Sequence, residues 1–246
     1  MPGLARRSAA LPGRASVPER SGPHPVELAG LLHELTVRIL GADSVAQALD
    51  RFASFAAGAL RGVVRCSVAL ISEGGPLTAA TYGTSGESFD ELQYASGAGP
   101  GLEAARTRSM VTATDLVHDE RWVELTGRAR ADGLRSVAAI PLDVGRTAGG
   151  AVSFYRVEAG EFEPDVLVTA MALAGQAEVL LGELTRRDAL TEGAVVDRAA
   201  GVIIAQRGCG LREAYAILQE SAQRLGLDRG TVAQLLIAAA DRNAGP

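Results

Sequence analysis

The chain has 246 residues, 47% of them hydrophobic, and a formal net charge of −5. That is room for one large domain or two modest ones around a sizeable core, which excludes wholesale disorder. The acidic balance argues against a chain built throughout for polyanion binding, while a local basic patch stays compatible with it. Every basic residue is Arg, Asn occurs once at Asn243, and Ala and Gly abound. This reads as a coding bias, so the arginine count alone carries no function. Cys66 and Cys209 lie far apart and form neither a disulfide framework nor a zinc site, which fits a reduced cytoplasmic setting. No run approaches 18 apolar residues, so no membrane partner is expected.

Residues 1–25 hold five prolines and four arginines and are expected to form a disordered tail. The pair Arg6-Arg7 suggests a twin-arginine signal, but Pro and Arg interrupt the stretch after it before an apolar core forms. From Val26 the pattern turns helical, with Leu28, Leu32, Leu35 and Ile39 on one face and Gly41 ending the run. Ser44 is the expected N-cap of a second helix reaching Leu60. Strands follow over 66–71 and 77–82, with Glu73-Gly74-Gly75-Pro76 as the turn between them. A loop with short helices covers 85–108, then a strand 109–113, a helix around 122–132, and strands 136–142 and 149–155. Helices flanking such a run predict an α+β domain with a mainly antiparallel sheet.

Pro164 opens a third region, where Leu167, Ala170, Ala174, Ala177, Leu181 and Leu184 step three and four apart. This heptad seam either packs on the chain's own sheet or first helix, or joins two protomers in a homodimer. The last region is all helical. Val195, Ala199, Val202 and Ile203 share a face, and the spacing returns at Leu211, Ala214, Tyr215 and Leu218, and again at Val232, Leu235, Leu236 and Ala239. Three short helices separated at Gly208-Cys209-Gly210 and Gly226 predict a small all-α bundle, marginal by itself at this size.

The segment 89–142 carries Gln93-Tyr94, Gly97 to Gly101, Ala104-Ala105, Val111 with Asp115-Leu116, Asp119-Glu120-Arg121-Trp122, and Gly133 to Val137 ending at Pro141-Leu142. Gly149-Gly150-Ala151-Val152 fits the strand that closes the sheet. These pieces resemble a GAF domain of the actinobacterial type over residues 26–183. The resemblance implies a sensor of a small molecule or a signalling partner. Gly99, Pro100 and Gly101 sit in a loop that can approach a ligand closely, or can equally pack a helix tightly on the sheet. Tyr94, Asp115 and Trp122 complete the candidate pocket, with the core as the alternative place for the two aromatics. No Lys-Ser or Lys-Thr follows the loop, so it is not a P-loop. Many GAF relatives carry Cys where Gly101 stands, which speaks against thiol sensing or cofactor attachment there.

Enzymatic readings lack residues. GAF proteins that reduce methionine sulfoxide use several cysteines, and this region has Cys66 alone. His24, His33 and His118 show no metal spacing, and Asp119-Glu120 beside His118 reads as a solvated loop. No catalytic residue, metal or cofactor is expected.

Asp197 to Ile203, Gly208-Cys209, Glu213-Ala214-Tyr215 with Leu218, Ser221, Gln223 and Ala233 resemble an ANTAR domain over residues 188–242. That family is the RNA-binding output module of transcription antiterminators, binding paired stem-loops whose formation excludes a terminator hairpin. The implied layout is a GAF domain over 26–183, a connecting helix over 164–190 able to pair as a dimer coiled coil, and the ANTAR domain over 188–242. The resemblance makes Arg198, Gln206, Arg207, Arg212, Gln219, Gln223 and Arg224 the expected RNA contacts, Arg by phosphate contact or stacking and Gln by base edges. Tyr215, the only aromatic of the region, is expected in its core. Two departures stand against this. Ala200 occupies a position where the family often has Lys, and residues 188–246 hold six Arg against seven acids. The alternative is a dimeric GAF interaction module whose ANTAR bundle has lost RNA binding.

Overall fold

The computed structural model describes residues 24–72, 77–83, 89–144 and 148–243. The expected tail up to residue 23 and the turn 73–76 lie outside the described residues. Helix α1, Pro25–Leu40, starts on a proline, whose fixed φ and missing N–H suit a first helical turn. Helix α2, Val45–Ala59, is capped by Ser44, whose side chain accepts from the Gln47 amide. Strands β1 (Arg65–Ser72) and β2 (Leu77–Tyr82) follow, then α3 (Phe89–Ser96), α4 (Pro100–Thr107) and β3 (Val111–Ala113). A 3-10 turn at Glu120–Trp122 leads into α5, Val123–Ala131, and strands β4 (Ser136–Val144) and β5 (Ala148–Arg156) complete the sheet.

The five strands run in the order β2-β1-β5-β4-β3, every neighbouring pair antiparallel. Side chains alternate across the sheet, so each strand feeds two cores. Cys66, Val68, Leu70, Ile140, Val152 and Phe154 face α1, α2 and the start of α6. Val137, Ala139, Ala151 and Tyr155 face α3, α4 and α5. Burial pushes the Cys66 thiol pKa well up, so it stays a protonated core residue. Gly150 is required by close approach, because a Cβ there would lie 2.0 Å from the Ala69 carbonyl oxygen.

Helix α6 is the largest departure from the sequence reading. It runs unbroken for 44 residues, Pro164–Arg207, about 66 Å at the usual rise. The connecting helix and the first bundle helix are one piece. By length and composition α6 is apolar enough to cross a membrane. Its apolar stripe from Val166 to Leu184, however, is buried in the core beneath the sheet. The heptad seam is therefore spent within the chain. Between Leu184 and Val196 no residue is buried. From Val196 the helix joins α7 (Leu211–Leu225) and α8 (Arg229–Asn243) around a third core of Val196, Ala199, Ala200, Ile203, Ala214 and Leu218. Gly208 and Gly226 end α6 and α7 in the left-handed conformation.

Candidate functional site

On the α3–α5 side, the sheet face is graded from charged to bare. Arg65 begins β1 and points under α3, wholly buried. Its Nη2 donates to Asp90 Oδ2 at 2.7 Å and its Nη1 to Asp132 Oδ2 at 3.2 Å. Asp90 also accepts from Ser67 Oγ (2.8 Å), Tyr155 Oη (3.2 Å) and Thr81 Oγ1 (3.3 Å). Arg128 balances Asp132 at 3.0 Å, so two cations meet two anions. This charge-balanced network lies beneath α3, with Arg65 Nε and Arg128 Nε left without a hydrogen-bond partner among the described residues.

Next to it, Gln93 of α3 is buried and takes the Gly101 amide at 2.8 Å through Oε1. Gly99 has φ 148°, and a Cβ there would lie 2.4 Å from Gln93. The glycine loop is thus closed on the protein's own glutamine, and Pro100 and Gly101 are buried with it. One row further along, paired neighbours on this face are Ala79, Ala69 and Ala151, then Ile71 opposite Gly149. Beside this row lies an open cavity of about 420 Å³ lined by Ile71, Tyr94, Gly97, Leu102, Ala105, Arg106 and Gly149. Of the expected pocket residues, Tyr94 lines this cavity. Trp122 is packed in the second core with Arg121 over its ring at 4.2 Å. Asp115 lies at a different edge, held by Arg135 at 2.5 Å and His118 at 2.9 Å. Arg135 and His118 hold the Asp115 carboxyl far below its ordinary range.

In the C-terminal bundle, Arg198, Gln206, Arg207, Arg212, Gln219, Gln223 and Arg224 are all exposed. Spacings of seven and eleven put Arg212, Gln219 and Gln223 in one stripe along α7, and Glu213, Glu220 and Arg224 in the next. Among the described residues none of Arg198, Arg207, Arg212, Arg224, Arg229 and Arg242 forms an ion pair. Tyr215 is half-buried against the third core, and its hydroxyl donates to Asp197 Oδ1, tying α7 to α6. That bond raises the phenol pKa. Ala200 is fully buried, so a longer side chain there would have to pass between packed helices. Asp188, Glu192 and Asp228 gather in a cleft between α6 and α8, away from the α7 stripe.

The family model of the GAF domain matches residues 42–181. The chain belongs to the GAF family. The model of the ANTAR domain matches residues 185–237 behind it. A GAF sensor domain followed by an ANTAR domain makes the chain a regulator of that general kind. Both are regulatory domains rather than enzymatic ones, although some structures similar to the GAF domain are enzymes.

Solved structures support the GAF fold. The GAF domain of a phosphoenolpyruvate-protein phosphotransferase from Coxiella burnetii is 16% identical, with 67% of this chain and 98% of that chain covered and a TM-score of 0.50. A free methionine-R-sulfoxide reductase from Neisseria meningitidis is 17% identical, covering 65% and 91%, with a TM-score of 0.50. An N-acylhomoserine lactone-dependent transcription factor of the LuxR family from Burkholderia cenocepacia is 13% identical, covering 65% and 99%, with a TM-score of 0.51. At these identities the likeness is one of fold. Among curated proteins none matches.

Sequence reasoning missed the Arg65–Asp90 network and the cavity residues of α4. A signal for the latter was present, since Leu102, Ala105 and Arg106 stand at i, i+3 and i+4 behind the glycine loop and so share a helix face. None existed for the network, whose members come from five elements.

Proposed function

We propose that the chain is a cytoplasmic, homodimeric transcription antitermination regulator whose ANTAR bundle binds paired stem-loops in nascent RNA. Its GAF domain senses a small molecule or a signalling partner, and α6 carries the change to the bundle. The observation that carries this reading is the state of the arginines. Six guanidiniums stand exposed on the bundle, and among the described residues none is neutralised by an acid. Free guanidiniums beside exposed amides suit phosphate neutralisation and base-edge contacts. Three of the seven acids of the bundle lie in the α6–α8 cleft, which leaves the Arg212, Gln219 and Gln223 stripe basic and amide despite the slight excess of acids. A dimer supplies two bundles for two stem-loops. Exposed Val37 and Leu40 on α1, and Val168, Met171 and Val179 on α6, offer it an apolar surface.

The test is titration of the full chain with an RNA of two short hairpins upstream of a terminator, beside a copy with scrambled loops, at two salt concentrations. Loop-dependent binding that weakens with salt, by a log–log slope of about −0.7 per phosphate contacted, and is lost in Arg212→Ala is the expected result. Equal binding of both RNAs, or none, favours a second reading. In that reading the bundle has abandoned RNA for a protein partner, which the exposed Leu211, Leu225, Leu227 and Leu235 favour.

A further inference from the structure

We propose that the cavity between α4 and the β1/β5 end of the sheet binds a small apolar monoanion of the carboxylate type, its apolar body against Ile71, Leu102 and Ala105 and its charge at Arg106. The inference rests on the reading that the GAF domain senses a small molecule, and it names the chemistry of that molecule.

The centre of the sheet face is closed to a ligand. Asp90 already accepts from four donors, and Arg65 and Arg128 are committed to Asp90 and Asp132. Inserting a ligand there would strip partners from buried charges. The glycine loop is shut on Gln93. What remains is the neighbouring space of about 420 Å³, within the range of small-molecule pockets.

Its walls divide sharply. Ile71, Leu102 and Ala105 line it without a polar side-chain atom, beside Gly97 and Gly149. Ile71 is 40% exposed, although it sits on a core strand facing helices. Two polar side chains remain, and both are unspent. Among the described residues Arg106 makes no ion pair and the Tyr94 hydroxyl has no hydrogen-bond partner. Burial and the nearby Asp90 charge raise the Tyr94 pKa, so the phenol stays protonated and donates. The lining side chains therefore present one full positive charge and one neutral donor above an apolar floor. A carboxylate takes a guanidinium and a hydroxyl together through its two oxygens. A nucleotide would instead set ribose hydroxyls and base edges against Ile71, Leu102 and Ala105, which leave them unpaired.

The experiment uses the full chain with octanoate, octanamide and cyclic GMP as probes, read by isothermal titration and by thermal shift. Octanoate is expected to bind at least about fivefold tighter than octanamide, the gain set by one partly exposed charge pair. Arg106→Gln, on the surface and away from every core, is expected to bring the two probes to the same affinity while the melting temperature without probe stays unchanged. Leu102→Trp, which fills the cavity, is expected to abolish binding of both. Equal binding of octanoate and octanamide to the unaltered chain overturns the proposal, as does a preference for octanoate that survives Arg106→Gln, or no binding of octanoate at all. Binding of cyclic GMP in preference to octanoate overturns the ligand class and leaves the sensing reading standing. The hairpin RNA titration runs on the same samples. Its failure strikes the antitermination reading, while the comparison of octanoate with octanamide decides the cavity's chemistry by itself.

Discussion

The guanidinium of Arg65 and the carboxylate of Asp90 meet at 2.7 Å with both side chains almost wholly out of solvent. A buried pair of this kind adds little over an apolar pair of the same shape, but removing one partner leaves an uncompensated charge. Asp90→Asn is expected to destabilise the GAF domain by about 3–5 kcal/mol. The double variant Arg65→Met/Asp90→Leu is expected to recover part of that loss, because Ser67 and Tyr155 lose their acceptor and Asp132 one cation. Urea unfolding of the three proteins checks both, and a double variant no better than the single one would show that the network stabilises the fold in its own right.

Asp115 predicts an acid-sensitive edge. Hydrogen bonds from Arg135, then His118, hold its folded-state pKa far below the ordinary 3.8. A depressed carboxylate contributes stability that is present above its unfolded pKa and fades as pH falls through the folded one. The contribution is therefore complete at neutral pH and begins to drain below about pH 4. Asp115→Asn is expected to lower the melting temperature at pH 7 and to flatten its fall between pH 5 and the acid limit of folding. Parallel melting curves for both proteins across that range would refute the assignment.

Tyr215 separates a structural from a stacking role. Tyr215→Phe keeps the ring and loses only the bond to Asp197, with an expected cost of about 0.5–1.5 kcal/mol. Tyr215→Ala also empties a half-buried site in the third core, for about 3 kcal/mol. Thermal melting reads both. If the aromatic face stacks on RNA, Tyr215→Phe retains hairpin affinity and Tyr215→Ala loses it beyond what unfolding explains.

Gly193 sits in α6 between the residues buried under the sheet and those of the third core, and a Cβ built there meets nothing within 4 Å. Gly193→Ala is expected to firm the helix by about 1 kcal/mol, and Gly193→Pro to break it at a cost of about 3 kcal/mol. Circular dichroism at 222 nm during heating measures both changes. Unchanged helicity in the proline variant would mean that the two domains hold α6 together without this stretch.

Most of the architecture was legible because apolar period and chain breakers coincide. Leu35 and Ile39, spaced four apart, are both fully buried in α1, and Ser44 does cap α2. In β1 the alternation of Cys66, Val68 and Leu70 with Arg65, Ser67 and Ala69 assigns two faces. Of the stretch 85–108, read as loop with short helices, residues 85–88 lie outside the described residues and the rest holds α3 and α4, with Gln93 closing the glycine loop in a contact no local pattern reports. The unity of α6 was visible only as a silence: no proline and no turn cluster falls between Pro164 and Gly208. No local pattern marks Asp90 as buried, since its four donors are supplied by strands that pairing alone brings near. On the bundle, the exposed positions of Arg212, Gln219 and Gln223 follow from their spacing opposite Ala214, Leu218 and Ala222.

The length of α6 sets a mechanical ratio. Arg198 stands about 21 Å along the axis from Leu184, the last side chain anchored beneath the sheet. A tilt of about 10° at that anchorage sweeps the arginine through about 4 Å, more than the reach of a hydrogen bond. A single residue of rotational slip would turn it by about 100°, a little over a quarter of the way round the rod. Displacements at the sheet too small to disturb its packing are thus magnified at the far end, and two such rods side by side would open or close the gap between their bundles by twice as much.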